Sequence, residues 1–580
     1  MVETTVPTTA NTPTDSTAEE LLDGSGGRRW RIAATPDLAP FAGAAWPRLV
    51  SLLLPRRGIA ALDQAQAHFA EPAELTDPAL MPNLDVAVDR LAAACGAGET
   101  VAVFGDFDVD GITSTAILTE GLRALGAHPL PYIPHRFSEG YGPNSGAIRE
   151  LHGQGATLLV TADCGTSSVA EIADANELGM QVIVIDHHTV PEVVPDALAI
   201  VNPKVADSQY GSEPAAVGVA YKVIHDLYDQ IGVLYDAEPH RALVALGTVC
   251  DLAPMIAENR DLVRLGMRSL AQSTRPGLLA LAEVARADLT DVDAEMCGWV
   301  LGPRLNAAGR MDHGRIALDL LLAESADEAA PLAEQLEQLN RERREQTTAA
   351  TELADELVAE QGDDVALSFV ASEEISAGIV GLVASRLADQ HHRPAIVMQL
   401  LGDEGRASCR SIDGFDITAL LRRNADLLLK FGGHRAAAGF SIDASRLDEV
   451  RAALTADAAE RLDQSSLVPT IEVDAELPLN EINGELLQWL IKLGPHGIGN
   501  PVPRFLARGV EVQGNRAVGA DRSHLQFTAK QGRVPWRVIA FGNAEHAVLD
   551  GERADIVYSF KRDDFRGSLQ LEVLDLRPAR

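Results

Sequence analysis

Three short apolar runs punctuate the first half of the chain: residues 100–104 (TVAVF), 157–161 (TLLVT) and 181–185 (QVIVI). Each is too short for a helix and has no polar alternation, which predicts strands buried on both faces. Helical patterning fills the stretches between them, so the runs belong to a parallel sheet wrapped by helices. Acidic residues follow each strand, at Asp106, Asp163 and Asp186. Ligands of such sheets bind beyond the carboxyl ends of the strands. Further on, Leu332, Leu336, Leu339, Leu353 and Leu357 recur at helical spacing amid charges of both signs. Residues 331–360 therefore read as one amphipathic helix of roughly 45 Å at 1.5 Å per residue, a connector between two domains. A second α/β section follows over 361–465, with glycine-rich pieces at Gly378–Gly381 and Gly432–His434. From 466 to 580 the pattern turns to short alternating segments split by turn residues, as in a small β-barrel.

The N-terminal part is less regular. Residues 1–27 are rich in Thr, Pro, Ser and Asp and end in a Gly/Ser run, which predicts a disordered tail. Residues 28–97 hold small helical segments, expected to cap the following domain, 98–330.

The 580 residues are 46% hydrophobic and 23% charged, a globular composition. No apolar run reaches the roughly 18 residues a membrane span needs, and the N-terminus lacks the basic-then-apolar order of a secretory signal. Five cysteines, Cys95, Cys164, Cys250, Cys297 and Cys409, lie far apart without a C-x-x-C pair. That favours a reducing cytoplasm over a disulfide or thiolate-zinc scaffold. The net charge of −35 is awkward for a protein that would bind nucleic acid. It is unevenly spread: residues 501–580 hold 13 Lys/Arg against 10 Asp/Glu and seven of the 26 aromatics. Aromatic faces and basic side chains together suit single strands, although most of these rings are expected in a barrel core.

The strongest chemical signal is Gly105-Asp106-Phe107-Asp108-Val109-Asp110-Gly111, directly after a strand. Three carboxylates so close repel one another unless a cation lies among them, and hard oxygen ligands suit Mg²⁺ or Mn²⁺. A calcium loop of the EF-hand kind would need Glu six positions after the glycine, where Ile117 stands. Asp163-Cys164-Gly165, Asp186-His187-His188 and Cys250-Asp251 are each weak alone, since an Asp after a strand or helix is often a cap. Gathered at one edge they would form a carboxylate-rich site with imidazole, which leans toward Mn²⁺. Bridging carboxylates suggest two ions about 3.5–4 Å apart, an arrangement used for displacement at phosphorus.

These ordered motifs resemble the DHH phosphoesterase superfamily, and within it the exonucleases that degrade single-stranded DNA from the 5′ end. The similarity continues through Gly302-Pro303-Arg304-Leu305-Asn306-Ala307-Ala308-Gly309-Arg310, Ser408-Cys409-Arg410, the DHHA1-like Gly432-Gly433-His434 and Gly497-Ile498-Gly499-Asn500-Pro501, covering about 75–580. The resemblance implies metal ligands at Asp108, Asp110, Asp163, His187 and Asp251, with Asp163 bridging two ions. It implies that His188 meets the scissile phosphate, that Asp186 orients a histidine and that Asp106 stands behind the ligands. Arg310, placed in a Gly/Asn-rich loop, would hold the scissile phosphate. Arg136, Ser408 and Arg410 would hold the 5′-terminal phosphate, and His434 would meet the nucleotide. The implied architecture is a parallel-sheet DHH domain, a connector helix, a DHHA1 domain and an OB-like barrel. The implied activity serves DNA repair and recombination. Single-stranded DNA is the expected partner, with a single-strand-binding protein or a helicase as candidate protein partners and no membrane. The alternatives are a DHH-type phosphodiesterase of cyclic dinucleotides or short oligoribonucleotides, against which the barrel argues, and a non-catalytic DNA-binding scaffold, against which the full ligand set argues.

Overall fold

The computed structural model describes residues 19–579 apart from 72–74, 207, 363–364, 520–521, 545–550 and 564–567. Two units are formed. The larger joins Pro72–Ser466 with Pro495–Asn500, and the smaller joins the residues up to Glu71 with Leu467–Gly494 and the chain from Pro501 on.

The larger unit holds two sheets. The first is all-parallel, in the spatial order His128–Tyr132, Thr100–Gly105, Leu158–Ala162, Gln181–Ile185, Ala199–Val201. All three apolar runs are strands here, and their central residues are fully buried. After Thr100–Gly105 the chain first adds a strand on one side, then crosses back to pair Leu158–Ala162 on the other. Such a reversal opens a crevice at the carboxyl ends of the two neighbours. Asp106–Asp110 and Asp163 emerge there.

The second sheet runs Lys430–Gly433, Ala437–Asp443, Glu404–Arg410, Ala395–Leu401, Ser368–Ser372, parallel in its last pair and antiparallel elsewhere. The connector is a single helix, Ala326–Ala359, begun by Ser325, whose hydroxyl accepts the Glu328 N–H at 3.3 Å. This capped start lies five residues before the expected 331, because Pro331 is accommodated inside the helix. Residues near its start join the core of the first sheet's domain through Ala329, Ala333 and Leu336. Residues near its end join the second core through Ala350, Ala354 and Val358.

The smaller unit is a barrel built from Ala475–Glu476, Phe505–Val518, His524–Gln531, Val534–Ala540, Ser568–Pro578 and Arg553–Asp563, closed by pairing of Phe505–Val518 with Arg553–Asp563. Phe505, Phe527 and Tyr558 fill its core, with Trp536 and Phe560 partly buried against it. Phe541 is 46% exposed, while Phe565 lies outside the described residues.

Two N-terminal expectations change. Residues 1–18 of the expected tail lie outside the described residues, but Glu20–Asp23 is a strand paired with Arg29–Ile32, which in turn pairs with Thr470–Val473. The expected cap divides: Phe41, Val50, Leu53 and Leu54 pack into the barrel's core, while Leu84–Ala97 packs on the parallel sheet's domain. Short apolar helices bury themselves wherever a complementary face exists, and sequence proximity does not decide which one that is.

Candidate active site

The loop after Thr100–Gly105 turns straight into the helix Val109–Ala124. Asp108 caps it, its Oδ1 accepting the N–H groups of Asp110 at 3.0 Å and Gly111 at 3.2 Å. Gly111 is required: a Cβ there would come within 2.5–2.7 Å of the Asp106 backbone. The turn therefore folds back on its own start and crowds three carboxylates. Asp110 points inward, its two oxygens each accepting an N–H from the first residues of helix Ala216–Ile231, Ala216 and Val217, both at 2.8 Å.

Asp163 is held with φ at +64°, a left-handed conformation uncommon for non-glycine residues, though Asn and Asp adopt it more readily than most. Strain of this kind persists only where surrounding structure enforces it, and it gathers at functional sites. His187 Nε2 lies 3.2 Å from Asp163 Oδ1 and 3.8 Å from Asp110 Oδ2, and its Nδ1 lies 3.8 Å from Asp251 Oδ2. Asp186 braces the histidine pair. Its Oδ1 accepts the backbone N–H of His187 at 2.7 Å and of His188 at 3.1 Å and meets His188 Nδ1 at 2.8 Å, while Oδ2 accepts the Thr166 N–H at 3.0 Å.

Three overlapping groups of donor atoms result: Asp106, Asp108 and Asp163; Asp110, His187 and Asp251; and Asp163, His187 and His188, the atoms of each lying within 4.8 Å of one another. Asp106 thus joins a donor group directly instead of standing behind the ligands. Its Oδ1, Asp163 Oδ1 and His187 Nε2 are buried without a hydrogen-bond partner among the described residues. Buried polar atoms are normally satisfied, so three orphans on residues of these overlapping groups call for a ligand. Oxygen-rich sets with one or two imidazoles suit Mn²⁺ or Mg²⁺.

The electrostatics agree. Burial, reinforced by Asp108, pushes the Asp110 carboxyl up to about 7. Burial, reinforced by Asp110 and Asp108, pushes Asp251 up to about 9. Asp106 and Asp163 rise well above the usual carboxylate range for the same reasons. His187 is pushed down to about 3 by burial and by His188, leaving a neutral ring able to act as a ligand. His188 moves the other way: burial lowers it, but the bond to Asp186 and the charges of Asp186, Asp110 and Asp106 together outweigh that and raise it.

Cations ring this acidic centre. The Arg136 guanidinium stacks over Phe107 at 4.0 Å from the ring centroid, its Nε buried without a partner among the described residues. Arg310 sits on the helix Gly302–Met311, where the expectation was a loop. A π-turn over Cys297–Leu301 leads into this helix, and Gly302 and Gly309, the glycines that suggested irregular chain, both lie within it. Its Nη1 donates to the Gly378 carbonyl at 3.3 Å, and a Cβ on Gly378 would stand 2.2 Å from the Arg310 carbonyl, so only glycine allows this approach. Burial, with Arg136, Arg343 and Arg410 nearby, pushes Arg310 down to about 9. Arg410 Nη1 donates to Ser408 Oγ at 3.0 Å on strand Glu404–Arg410, and its Nη2 faces Gly381. His434 is exposed in the turn between Lys430–Gly433 and Ala437–Asp443, with its backbone fixed by the Thr418 hydroxyl at 2.6 Å. It takes no part in the three donor groups of the acidic cluster.

Sequence reasoning missed Tyr141. Its hydroxyl donates to the Asp163 carbonyl at 3.1 Å and lies 3.3 Å from His188 Nδ1. The signal was a tyrosine between two glycines of positive φ, Gly140 at 87° and Gly142 at 80°. Asn202 was missed as well; its amide spans the Thr166 hydroxyl at 3.2 Å and the His188 carbonyl at 3.0 Å.

Comparison with known proteins follows this anatomy. Residues 100–248 match the DHH family, N-terminal domain, 362–460 the DHHA1 domain and 473–575 the RecJ OB domain. The single-stranded-DNA-specific exonuclease RecJ of Bacillus subtilis is 36% identical over 516 residues, 88% of this chain and 65% of that protein. RecJ of Haemophilus influenzae is 34% identical, covering 86% of this chain and 91% of the relative. RecJ of Escherichia coli is 35% identical, covering 94% and 98%. The crystal structure of RecJ in complex with Mn²⁺ from Thermus thermophilus superposes with a TM-score of 0.82 at 30% identity, over 95% of this chain and 80% of that one. With three domain matches in the order of its folded domains and full-length relatives above 30% identity, the chain belongs to the RecJ family of the DHH superfamily.

Proposed function

We propose that the chain is a divalent-metal-dependent exonuclease that hydrolyses single-stranded DNA from its 5′ end to nucleotides, in repair and recombination. The observation that carries this reading is the trio of overlapping donor groups with buried, unpartnered Asp106 Oδ1, Asp163 Oδ1 and His187 Nε2. Asp108, Asp110, Asp163, His187 and Asp251 would hold two ions, Mn²⁺ or Mg²⁺, with Asp163 shared and Asp106 supplying a further oxygen. Bound there, such ions activate a water and neutralise charge developing at phosphorus.

The chain's own groups do the rest. Arg310 clamps the scissile phosphate, since a guanidinium fork matches phosphate oxygens bidentately. His188, held by Asp186 at 2.8 Å, donates a hydrogen bond to that phosphate. Its raised pKa keeps the ring protonated further up the pH scale. Arg136, Ser408 and Arg410 take the 5′-terminal phosphate, and His434 meets the nucleotide. The connector helix spaces the two sheet domains so that one strand fits and a duplex does not. The barrel offers basic and aromatic side chains of the kind that hold a single strand. A single-strand-binding protein or a helicase would hand over the substrate. The setting is the cytoplasm, in keeping with five free cysteines.

The test uses 5′- and 3′-labelled single strands, matched duplex and a cyclic dinucleotide, each with Mn²⁺. Stepwise loss from the 5′ end of single strands alone is expected. Preference for the cyclic substrate would overturn the reading.

A further inference from the structure

The connector helix has an interrupted face. Ala329, Ala333 and Leu336 are buried in the first core, and Ala350, Ala354 and Val358 in the second. Residues 340, 343 and 347 continue that same stripe at helical spacing, but they are Asn340, Arg343 and Thr347. Asn340 and Thr347 are buried, 3% and 2% exposed. Polar residues thus replace apolar ones where the helix passes from one core to the other.

Arginines converge on this stretch from three helices. Arg343 is on the connector, Arg304 and Arg310 are on Gly302–Met311, and Arg386 is on Val380–His391; both flanking helices pack against the connector. Arg343 is held in place by Asn340 Oδ1 at 2.8 Å, and its Nε is buried without a partner among the described residues. Arg386 reaches the Thr351 hydroxyl, one turn beyond Thr347, at 3.4 Å. Among the described residues only Arg304 of these four pairs with a carboxylate, Glu337 at 2.6 Å, and it also donates to the Val300 carbonyl. Burial first, and then Arg344, Arg386 and Arg304, depress the Arg343 pKa. In a chain of net charge −35, Arg343 and Arg386 are bonded to an amide oxygen and a hydroxyl, with no carboxylate paired to either among the described residues. Like charges so gathered are held at a cost unless an anion comes to them.

We propose that Arg343 and Arg386, continuing from Arg310, form a second phosphate-binding station that holds the substrate strand's backbone where it crosses the polar middle of the connector helix. This rests on the exonuclease reading, because the anion is a phosphodiester of the strand already engaged at Arg310. Arg343 takes the inner position, fixed by Asn340, and Arg386 the outer one. The station contributes no chemistry; it adds affinity for strands long enough to reach it.

Binding by the full chain, with Ca²⁺ in place of Mn²⁺ to hold turnover off, is measured for a 5′-phosphorylated dinucleotide and for an oligonucleotide of about 20 nucleotides across a salt series. Arg343→Ala and Arg386→Ala should each weaken the long strand about tenfold relative to the dinucleotide. Each should also lower the salt slope by about 0.7, the share of one released counterion on a single strand. Arg343→Lys should keep the slope, since it keeps the charge. Should Arg343→Ala fail to fold, Arg386→Ala and the charge reversal Arg386→Glu carry the test alone. Wild-type-like slopes and length dependence in these variants would overturn the station, and so would equal loss on both substrates. If the wild-type chain itself ignores single-stranded DNA, it is the exonuclease reading that fails.

Discussion

The helix Val109–Ala124 carries a buried acid near its start and a half-buried one near its end, and the two have opposite fates. Glu120, in the last turn but one, receives both terminal nitrogens of Arg275 at 2.7 Å and His240 Nε2 at 3.0 Å. Burial works to raise its pKa, yet these bonds hold it down to about 2. Asp110, in the first turn, is 0% exposed and accepts from backbone amides, with no arginine or lysine bonded to it among the described residues, and its nearest charges include Asp108 and Asp163. It rises to about 7. One helix thus places a matched acid in the scaffold and an unmatched one at the crevice. A carboxylate with its cation in place is architecture. A buried carboxylate whose neighbours are more carboxylates is a site that awaits one.

The largest effect that would break this contrast is at Asp163. Asp163→Asn keeps the shape and tolerates the left-handed backbone better than Ala would. Turnover of a 5′-labelled strand should fall about 10³-fold, the scale on which preorganised electrostatic stabilisation is lost, with strand binding retained. Residual activity within tenfold of wild type would show that the shared oxygen is dispensable. At the other end of the helix, Glu120→Ala leaves Arg275 and His240 without their acid. It should cost about 3 kcal/mol of unfolding free energy in urea while kcat stays near wild type. Because the Glu120 pKa is lowered on folding, its contribution is present above the ordinary value of 4.5 and lost as the pH falls toward about 2. The wild-type advantage over Glu120→Ala should therefore shrink in that acid window. An advantage independent of pH there would deny the ion pair its role.

What the sequence made legible follows from local rules. Asp106, Asp108, Asp110, Asp163 and His187 directly follow apolar strands, and a parallel sheet brings such positions to one edge whatever the intervening loops do. Asp251 ends a helix, Glu238–Cys250, where an aspartate is ordinarily a cap, so family resemblance and not spacing pointed to it. Arg310 was assigned to the wrong element: a glycine-rich run reads as a loop, yet Gly302 and Gly309 are there for close contacts, a Cβ on Gly309 standing 2.8 Å from the Phe107 carbonyl. The N-terminal helices went to the wrong core because nothing in an amphipathic segment names its partner. Tyr141 and the arginines of the connector were invisible for a related reason, since their meaning lies in which distant atoms they meet.

Metal dependence sharpens the comparison at the next scale down. The pKa values of Asp110 and Asp251 are raised on folding, so without an ion their contribution to stability is present at acid pH and is lost as the pH rises through about 7 and about 9. An ion held by the ionised carboxylates reverses this loss and displaces protons. The gain in Tm on adding Mn²⁺ should then be larger at pH 8.5 than at pH 5.5, with about 2.7 kcal/mol of stabilisation when the free ion is 100 times its Kd. Equal gains at the two pH values would mean that these carboxyls do not release protons to the ion.

Tyr141 gives the smallest effect and the finest test of the crevice. Its hydroxyl links the strained Asp163 backbone at 3.1 Å to the His188 ring at 3.3 Å, while about half of the residue stays exposed. Tyr141→Phe removes that link and leaves the ring. Loss of one ordinary hydrogen bond is worth about 1 kcal/mol, so kcat should drop about fivefold with little change in KM. Mn²⁺ affinity, read separately by titration, should hold, because the hydroxyl touches the Asp163 carbonyl and not its carboxylate. A drop in kcat accompanied by an equal drop in Mn²⁺ affinity would place Tyr141 with the ligands; no drop in either would reduce it to a surface ring, and the positioning of His188 would then rest on Asp186 and Asn202.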